Sequence, residues 1–390
     1  MLNLQGTLSD PQLCAALIER IHQLAAHPKL QGKPFRFMEV CGTHTVALFR
    51  SGVISMLPTN IVHLSGPGCP VCVTHDSEIA AAISLAERQG KENIHVLTFG
   101  DLMRVPGPNG HTLKKAKAMG AKVDIIYSPL ECLAIAQANP ASEVVFLGVG
   151  FETTSPAIAA TVLEAERLGI KNFSVLCCHK LVPPALHALL NAAPAAPTKK
   201  VGESKTHALQ ATHTGIDGFI LPGHVSTILG VEAYDFLASL YHKPSVVTGF
   251  EPADLLQAIF LLLQMTIDGE AKVINEYIRA VHTKGNPKAR EIMFKVFQIS
   301  NARWRGLGDI PDSGLAFRPE FAHFDAVLRL GVEFKDTPPP KGCMCGEALA
   351  GLIQPPQCPL FGKLCTPQNP VGPCMVSTEG SCAAYYNYAM

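Results

Sequence analysis

The sequence has no net charge: 32 Lys and Arg balance 32 Asp and Glu. A balanced chain offers no field to gather nucleic acid or an anionic membrane surface. It also lacks any apolar run near the ~18 residues that a membrane-spanning helix needs. The most apolar helical stretch, Leu255 to Ile267, is broken by Gln257 and Gln264 and reads as a buried helix. The opening residues Met1-Leu2-Asn3-Leu4-Gln5 lack a charged segment followed by a long apolar one, so no secretory signal is expected. A cytoplasmic setting follows, in which thiols are kept reduced. Gly148-Val149-Gly150 falls short of a dinucleotide-binding fingerprint.

The last 48 residues lack the large apolar side chains of an independent core, yet they hold six of the chain's 13 cysteines. A Pro- and Gly-rich segment of that kind needs a staple, either disulfides or a metal. Cys345, Cys358, Cys365 and Cys382 are separated by 12, 6 and 16 residues, with Cys343 and Cys374 among them as rival ligands. None of the four stands in a Cys-x-x-Cys knuckle with another, the usual mark of a zinc ribbon. Long irregular intervals suit a 4Fe-4S cluster, whose ligands come from scattered loops.

The 390 residues, 47% of them hydrophobic, suffice for two or three domains. Short apolar runs at 35–40, 61–64, 95–98 and 123–127 alternate with helical patterns at 12–26, 77–88 and 112–119. The alternation starts again with strands at 144–149, 173–178, 218–221 and 245–248 and helices at 157–168 and 184–190. Such alternation implies parallel strands joined by right-handed crossovers. The expected fold is α/β: two similar Rossmann-like domains, residues 1–140 and 141–250, then 251–390 as a helical return and a loop-rich cysteine domain. Helices are expected near 252–267 and 270–281. Pro194 to Gly215 reads as a mobile polar surface loop.

Loops at the carboxyl ends of parallel strands gather function. Cys41-Gly42-Thr43-His44 follows one strand and places a thiol beside an imidazole, for metal ligation or thiol activation, with Gly42 allowing a ligand close to the backbone. Gly66-Pro67-Gly68-Cys69-Pro70-Val71-Cys72 follows another, an exposed, tightly turned loop whose pair could form a reversible disulfide or half a metal site. Glu152 in Gly150-Phe151-Glu152-Thr153-Thr154 is either a crevice carboxylate or a helix cap. Cys177-Cys178-His179-Lys180 reads as a strand-core cysteine with a crevice histidine, while Cys14 and Cys132 read as core.

Taken in order, these motifs resemble the HypD family of hydrogenase maturation factors. Phe99-Gly100-Asp101, Arg104-Val105-Pro106-Gly107, Pro222-Gly223-His224-Val225-Ser226 and Trp304-Arg305-Gly306-Leu307-Gly308 belong to the set. So do Cys345-Gly346-Glu347, Cys358-Pro359-Leu360-Phe361-Gly362 and Glu379-Gly380-Ser381-Cys382, and the likeness runs from about residue 12 to 388. The resemblance implies a redox-active scaffold for NiFe hydrogenases rather than a conventional turnover enzyme. With the chaperone HypC it would hold a transient iron carrying two cyanides and one carbon monoxide, the Fe(CN)2CO unit, before transfer to the hydrogenase large subunit. HypE would deliver cyanide as a thiocyanate made with HypF. The resemblance implies that Cys41 ligates that iron beside His44, that Cys69 and Cys72 are the redox pair, and that Cys345, Cys358, Cys365 and Cys382 hold a 4Fe-4S cluster. Other readings of the same cysteines are a thiol-disulfide oxidoreductase with an iron–sulfur relay and a zinc-stapled binding module.

Overall fold

The computed structural model describes residues 8–88, 92–191 and 215–389. Two parallel sheets form its frame. The first contains β1 (Phe35–Glu39), β2 (Ile61–Ser65), β7 (Gly218–Leu221), β8 (Ser245–Val247) and β9 (Val273–Asn275), in the order β2-β1-β7-β8-β9. The second contains β3 (Ile94–Thr98), β4 (Val123–Ile125), β5 (Glu143–Gly148) and β6 (Phe173–Cys177), in the order β4-β3-β5-β6. Most of these strands are short apolar runs because helices cover both faces of the sheets. In β3 all five residues are buried.

Both sheets reverse direction of growth beside their first strand. β1 has β2 on one side and β7 on the other; β3 has β4 on one side and β5 on the other. Each reversal opens a crevice at the strands' carboxyl ends. Cys41 follows β1 and Asp101 follows β3, so both switch points carry sequence motifs identified above.

The expected boundary at residue 140 does not follow the sheets. It falls between β4 and β5, which share one sheet, while β1 and β2 pair with strands beyond residue 217. The second sheet is inserted into the first between β2 and β7. The local alternation of strand and helix is the same on either side of an insertion, so sequence pattern reads it as two consecutive units.

Helix Pro252–Asp268 forms as expected and packs against helix Pro11–Ala25, burying Leu17, Ile21, Ile259 and Leu262 over β1 and β7. Asp10 caps the latter helix by accepting from the N–H groups of Gln12 and Leu13 at 2.8 and 2.9 Å. The helix expected at 270–281 is instead β9 followed by turns, because Val273-Ile274-Asn275 add to the edge of β8. An antiparallel hairpin absent from the sequence reading, β10 (Phe297–Trp304) and β11 (Gly308–Phe317), lies in the expected loop region. Its tip needs Gly306 and Gly308, both at φ +77°. The polar segment Pro194 to Gly215 lies outside the described residues but for its last residue. Among the described residues no helix is long and apolar enough to cross a membrane.

The cysteine-rich C-terminal segment has no separate core. Cys345, Leu349, Cys374, Met375 and Cys382 share one buried cluster with Met38, Leu64, Phe151 and Trp304 from the frame. A fragment ending at residue 140 would strand β1 without β7 and β3 without β5. It is expected to show no cooperative thermal transition by circular dichroism, whereas a sharp transition like that of the full chain would contradict this topology.

Candidate functional site

Cys41 caps helix Gly42–Arg50 and is 7% exposed. Its N–H donates to Glu39 Oε2 at 2.8 Å, and the Thr45 hydroxyl donates to Glu39 Oε1. Burial raises the pKa of Glu39, opposed by its contact with His63. Burial likewise pushes the Cys41 thiol up to about 12, with Glu379 and Glu39 adding to the shift. The backbone N–H groups of His44 and Thr43 act the other way. The His44 imidazole does not activate the thiol by direct contact: Nε2 faces the carbonyls of Thr248 and Gly249 at 3.2 and 3.0 Å. Burial holds its pKa at about 4, so it is neutral at ordinary pH. His44 and His224 both lie against Phe250, with ring centroids 4.7 and 4.2 Å away.

Gly42 makes room for protein rather than for a ligand. A Cβ there would stand 2.5 Å from the Glu379 carbonyl oxygen. The Thr43 hydroxyl donates to Glu379 Oε1 at 2.6 Å, and the Ser377 hydroxyl donates to Asp101 Oδ2 at 2.8 Å. The turn containing Ser377 and Glu379 thus touches the switch points of both sheets.

The Cys69–Cys72 loop is buried, not exposed: the two cysteines are 3% and 0% accessible. They form a disulfide across the short helix Pro70–Val73. Gly68 presses on Cys41, where a Cβ would collide with the backbone, and Gly42 N–H donates to Gly68 O at 2.9 Å. The hairpin tip grips the other side of the loop through Arg305 N–H to Val73 O at 2.8 Å.

The C-terminal cysteines divide differently from the sequence expectation. Cys345 is disulfide-bonded to Cys374, so in this state it is not free to ligate a metal. Cys343, Cys358, Cys365 and Cys382 are free thiols. Burial pushes the Cys343 thiol up to about 11, with Cys358 and Cys365 adding to it. Burial also raises Cys382, which feels Cys343, Cys365 and Cys358. Three of these four free thiols belong to the expected set. Cys345 opens helix Cys345–Leu349 and enters the shared core, whereas Cys343 stays half-buried on the preceding loop against Gly372, where a Cβ would lie 2.5 Å from its Sγ. Among the described residues no three His, Cys, Asp or Glu side chains converge tightly enough for a single metal ion. An all-thiol set spread more widely matches the donor chemistry of an iron–sulfur cluster.

The N-cap of the following helix, Ser155–Leu168, is Thr154 rather than Glu152, which instead serves the first N–H of helix Val182–Asn191. Glu152 Oε1 accepts from Val182 N–H at 2.9 Å, its Oε2 is buried without a partner, and burial pushes its pKa up to about 7. Tyr234, unremarked in the sequence, is fully buried; burial raises its pKa, with Glu152 adding to the shift and Ser226 opposing it. No local motif surrounds it, so only the fold reveals it. His179 is not a crevice residue: it is buried against Phe297, with Nδ1 3.2 Å from Cys177 Sγ. Cys132 is buried in the core, whereas Cys14 is only partly covered.

A family model described as HypD, hydrogenase formation hypA family, matches residues 12–389. The chain belongs to the HypD family. The hydrogenase maturation factor HypD of Azotobacter vinelandii is 45% identical over 370 residues, covering 94% of this chain and 93% of that protein. Those of Cupriavidus necator and Escherichia coli K12 are 43% and 41% identical, covering 95% and 97% of this chain and 94% and 96% of theirs. The chain is thus a hydrogenase maturation factor, and the buried motifs above are features of a HypD protein.

Glu152 gives a pH test of the buried site. Its folded pKa of about 7 lies above the ordinary 4.5, so protonation stabilises the fold. That stability is fully present below pH 4.5 and lost as pH rises through about 7. Glu152→Gln should match wild type near pH 4 but exceed it near pH 8, by up to about 3 kcal/mol. Urea denaturation at the two pH values checks this, and a pH-independent difference would contradict it.

Proposed function

We propose that this protein is a redox-active scaffold for the iron centre of NiFe hydrogenases, working with a HypC-type chaperone and receiving cyanide from HypE, itself served by HypF. The cargo is an iron carrying two cyanides and one carbon monoxide, held in part by Cys41 and passed on toward the hydrogenase large subunit. The observation that carries this reading is the arrangement of thiols: the Cys69–Cys72 disulfide shares one buried cluster with Cys345, Cys365, Cys374 and Cys382, and Gly68, just before that disulfide, lies against Cys41.

Cys41 suits a cation. Burial and two nearby carboxylates oppose a bare thiolate, but a cationic iron would reverse that balance and take the deprotonated sulfur. Soft thiolate is a fitting ligand for low-spin iron with diatomic ligands. Gly68 holds the dithiol segment against Cys41. A thiocyanate bound to a partner sulfur requires two electrons to release cyanide. A Cys69–Cys72 dithiol supplies them by closing to the disulfide, giving one proton to the partner sulfur and releasing the other as cyanide binds iron.

Cys343, Cys358, Cys365 and Cys382 would hold a 4Fe-4S cluster, which when bound supplies one-electron transfers. Helix Pro70–Val73 packs against Cys345–Leu349 and Pro373–Met375, so the two disulfides occupy neighbouring segments. Dithiol–disulfide exchange between them would conserve both electrons and protons. Disulfides in a reducing compartment are typically transient and catalytic, which agrees with this use.

Two measurements test the proposal. Cys343→Ala, Cys358→Ala, Cys365→Ala and Cys382→Ala should each lower iron and acid-labile sulfide after anaerobic purification, while Cys345→Ala and Cys374→Ala keep them; loss from Cys345→Ala with retention in Cys343→Ala would favour the ligand set that the resemblance implies. Cys41→Ala should keep the cluster but lose the infrared bands of iron-bound cyanide and carbon monoxide in the complex with HypC. Bands of wild-type intensity would exclude Cys41 as the essential ligand.

A further inference from the structure

We propose that Gly306, at the tip of the β10–β11 hairpin, is a positioning residue that holds the Cys345 segment against the Cys69–Cys72 segment and so sets the rate of exchange between the two disulfides. The inference rests on the disulfide exchange proposed above. One side of the tip is gripped by the residues just after Cys72. Trp304 pairs with Thr74 in a short antiparallel bridge, Arg305 N–H donates to Val73 O at 2.8 Å, and Arg305 Nε donates to Thr74 O at 3.1 Å. Arg305 Nη1 also pairs with Asp76 at the start of helix Asp76–Glu87, and both side chains are buried.

The other side of the tip rests on the C-terminal segment, backbone against backbone. A Cβ on Gly306 would lie 2.4 Å from the Gly346 Cα and 2.7 Å from the Gly346 carbonyl oxygen. A Cβ on Gly346 would lie 2.8 Å from the Gly306 Cα. Gly346 directly follows Cys345, which is bonded to Cys374. The tip itself is held from within the core: Trp304 is fully buried, its indole N–H donates to Ser313 Oγ at 2.9 Å, and its ring stacks on Phe151. One fixed element thus touches both disulfide-bearing segments, which also pack on each other. A single methyl group at the joint would push them apart.

The exchange depends on reach. One thiolate of an opened Cys345–Cys374 pair attacks a Cys69–Cys72 sulfur, giving a mixed disulfide and leaving one free thiol in each pair. The remaining thiol of the attacking pair then closes Cys345–Cys374 and releases the second sulfur. Two electrons and two protons pass from one pair to the other. A misplacement of about 1 Å can cost on the order of a hundredfold in rate. The reduction potential of each pair belongs to that pair, so a shifted joint slows the exchange without moving its end point.

Gly308 supplies the control. It shares φ +77° with Gly306, but a Cβ there would meet nothing within 4 Å. The two positions carry the same backbone strain on substitution and differ in contact. The experiment treats the full chain anaerobically with one equivalent of a small dithiol, then follows both pairs by timed alkylation and mass spectrometry. In wild type the electrons should redistribute between the pairs at a rate independent of protein concentration. Gly306→Ala and Gly346→Ala should reach the same final distribution about tenfold more slowly, while Gly308→Ala should match wild type. Wild-type rates in Gly306→Ala or Gly346→Ala would overturn the proposal. So would equal slowing in Gly308→Ala, which reports strain rather than contact, or a changed end point without slowing. If Gly306→Ala does not fold, Gly346→Ala decides, since it stands in helix Cys345–Leu349, where Ala is favoured over Gly. Wild type that shows no redistribution would instead overturn the exchange reading, and this inference with it.

Discussion

The docking of one C-terminal turn across the ends of two sheets is the contact on which the rest depends. Ser377 reaches Asp101 after β3, and Glu379 reaches Thr43 after β1. Neither hydrogen bond is worth more than a few kcal/mol. Their importance is positional, because the turn lies between Cys374 and Cys382. Fixing it brings a segment without its own core onto the frame. Gly42 permits the approach, since any side chain there would strike the Glu379 backbone. Gly68 permits the matching approach of the Cys69–Cys72 loop to Cys41. Three chemically different thiol sites thus meet because two glycines let backbones touch.

Burial determines how these thiols behave. Cys41 and Cys343 are both held well above the ordinary thiol range by desolvation. Without a partner cation they remain protonated and poor nucleophiles. A metal bound at such a thiol would displace its proton, so binding and proton release would be one event. The buried Arg305–Asp76 pair lies where the hairpin tip meets both cysteine-bearing segments.

Much of this was legible in the sequence, for physical reasons. The strands with short apolar runs and the helices between them appear close to their expected limits because local periodicity specifies them. Cys41, Cys69 and Cys72 stand at strand ends, where parallel sheets gather function. What sequence could not resolve depends on pairing at long range. The insertion of one sheet into another leaves no local mark, and the hairpin at 297–317 is interrupted by Pro311 and the glycines of its tip. The Cys345–Cys374 disulfide joins positions 29 residues apart, which no local pattern signals. Sequence alone presents Gly42 as space for a ligand because its neighbour, Glu379, is more than three hundred residues away. Tyr234 and the contact of Gly306 with Gly346 emerge only from the fold.

The central claim is that electrons reach the Cys69–Cys72 pair through the C-terminal thiol site. The direct measurement is anaerobic reduction by a limiting one-electron donor, followed by rapid alkylation and mass spectrometry of the Cys69–Cys72 peptide. Wild type should yield the alkylated dithiol, while Cys365→Ala, folded but without iron, should retain the disulfide under the same conditions. Equal reduction of the pair in both proteins would contradict the claim.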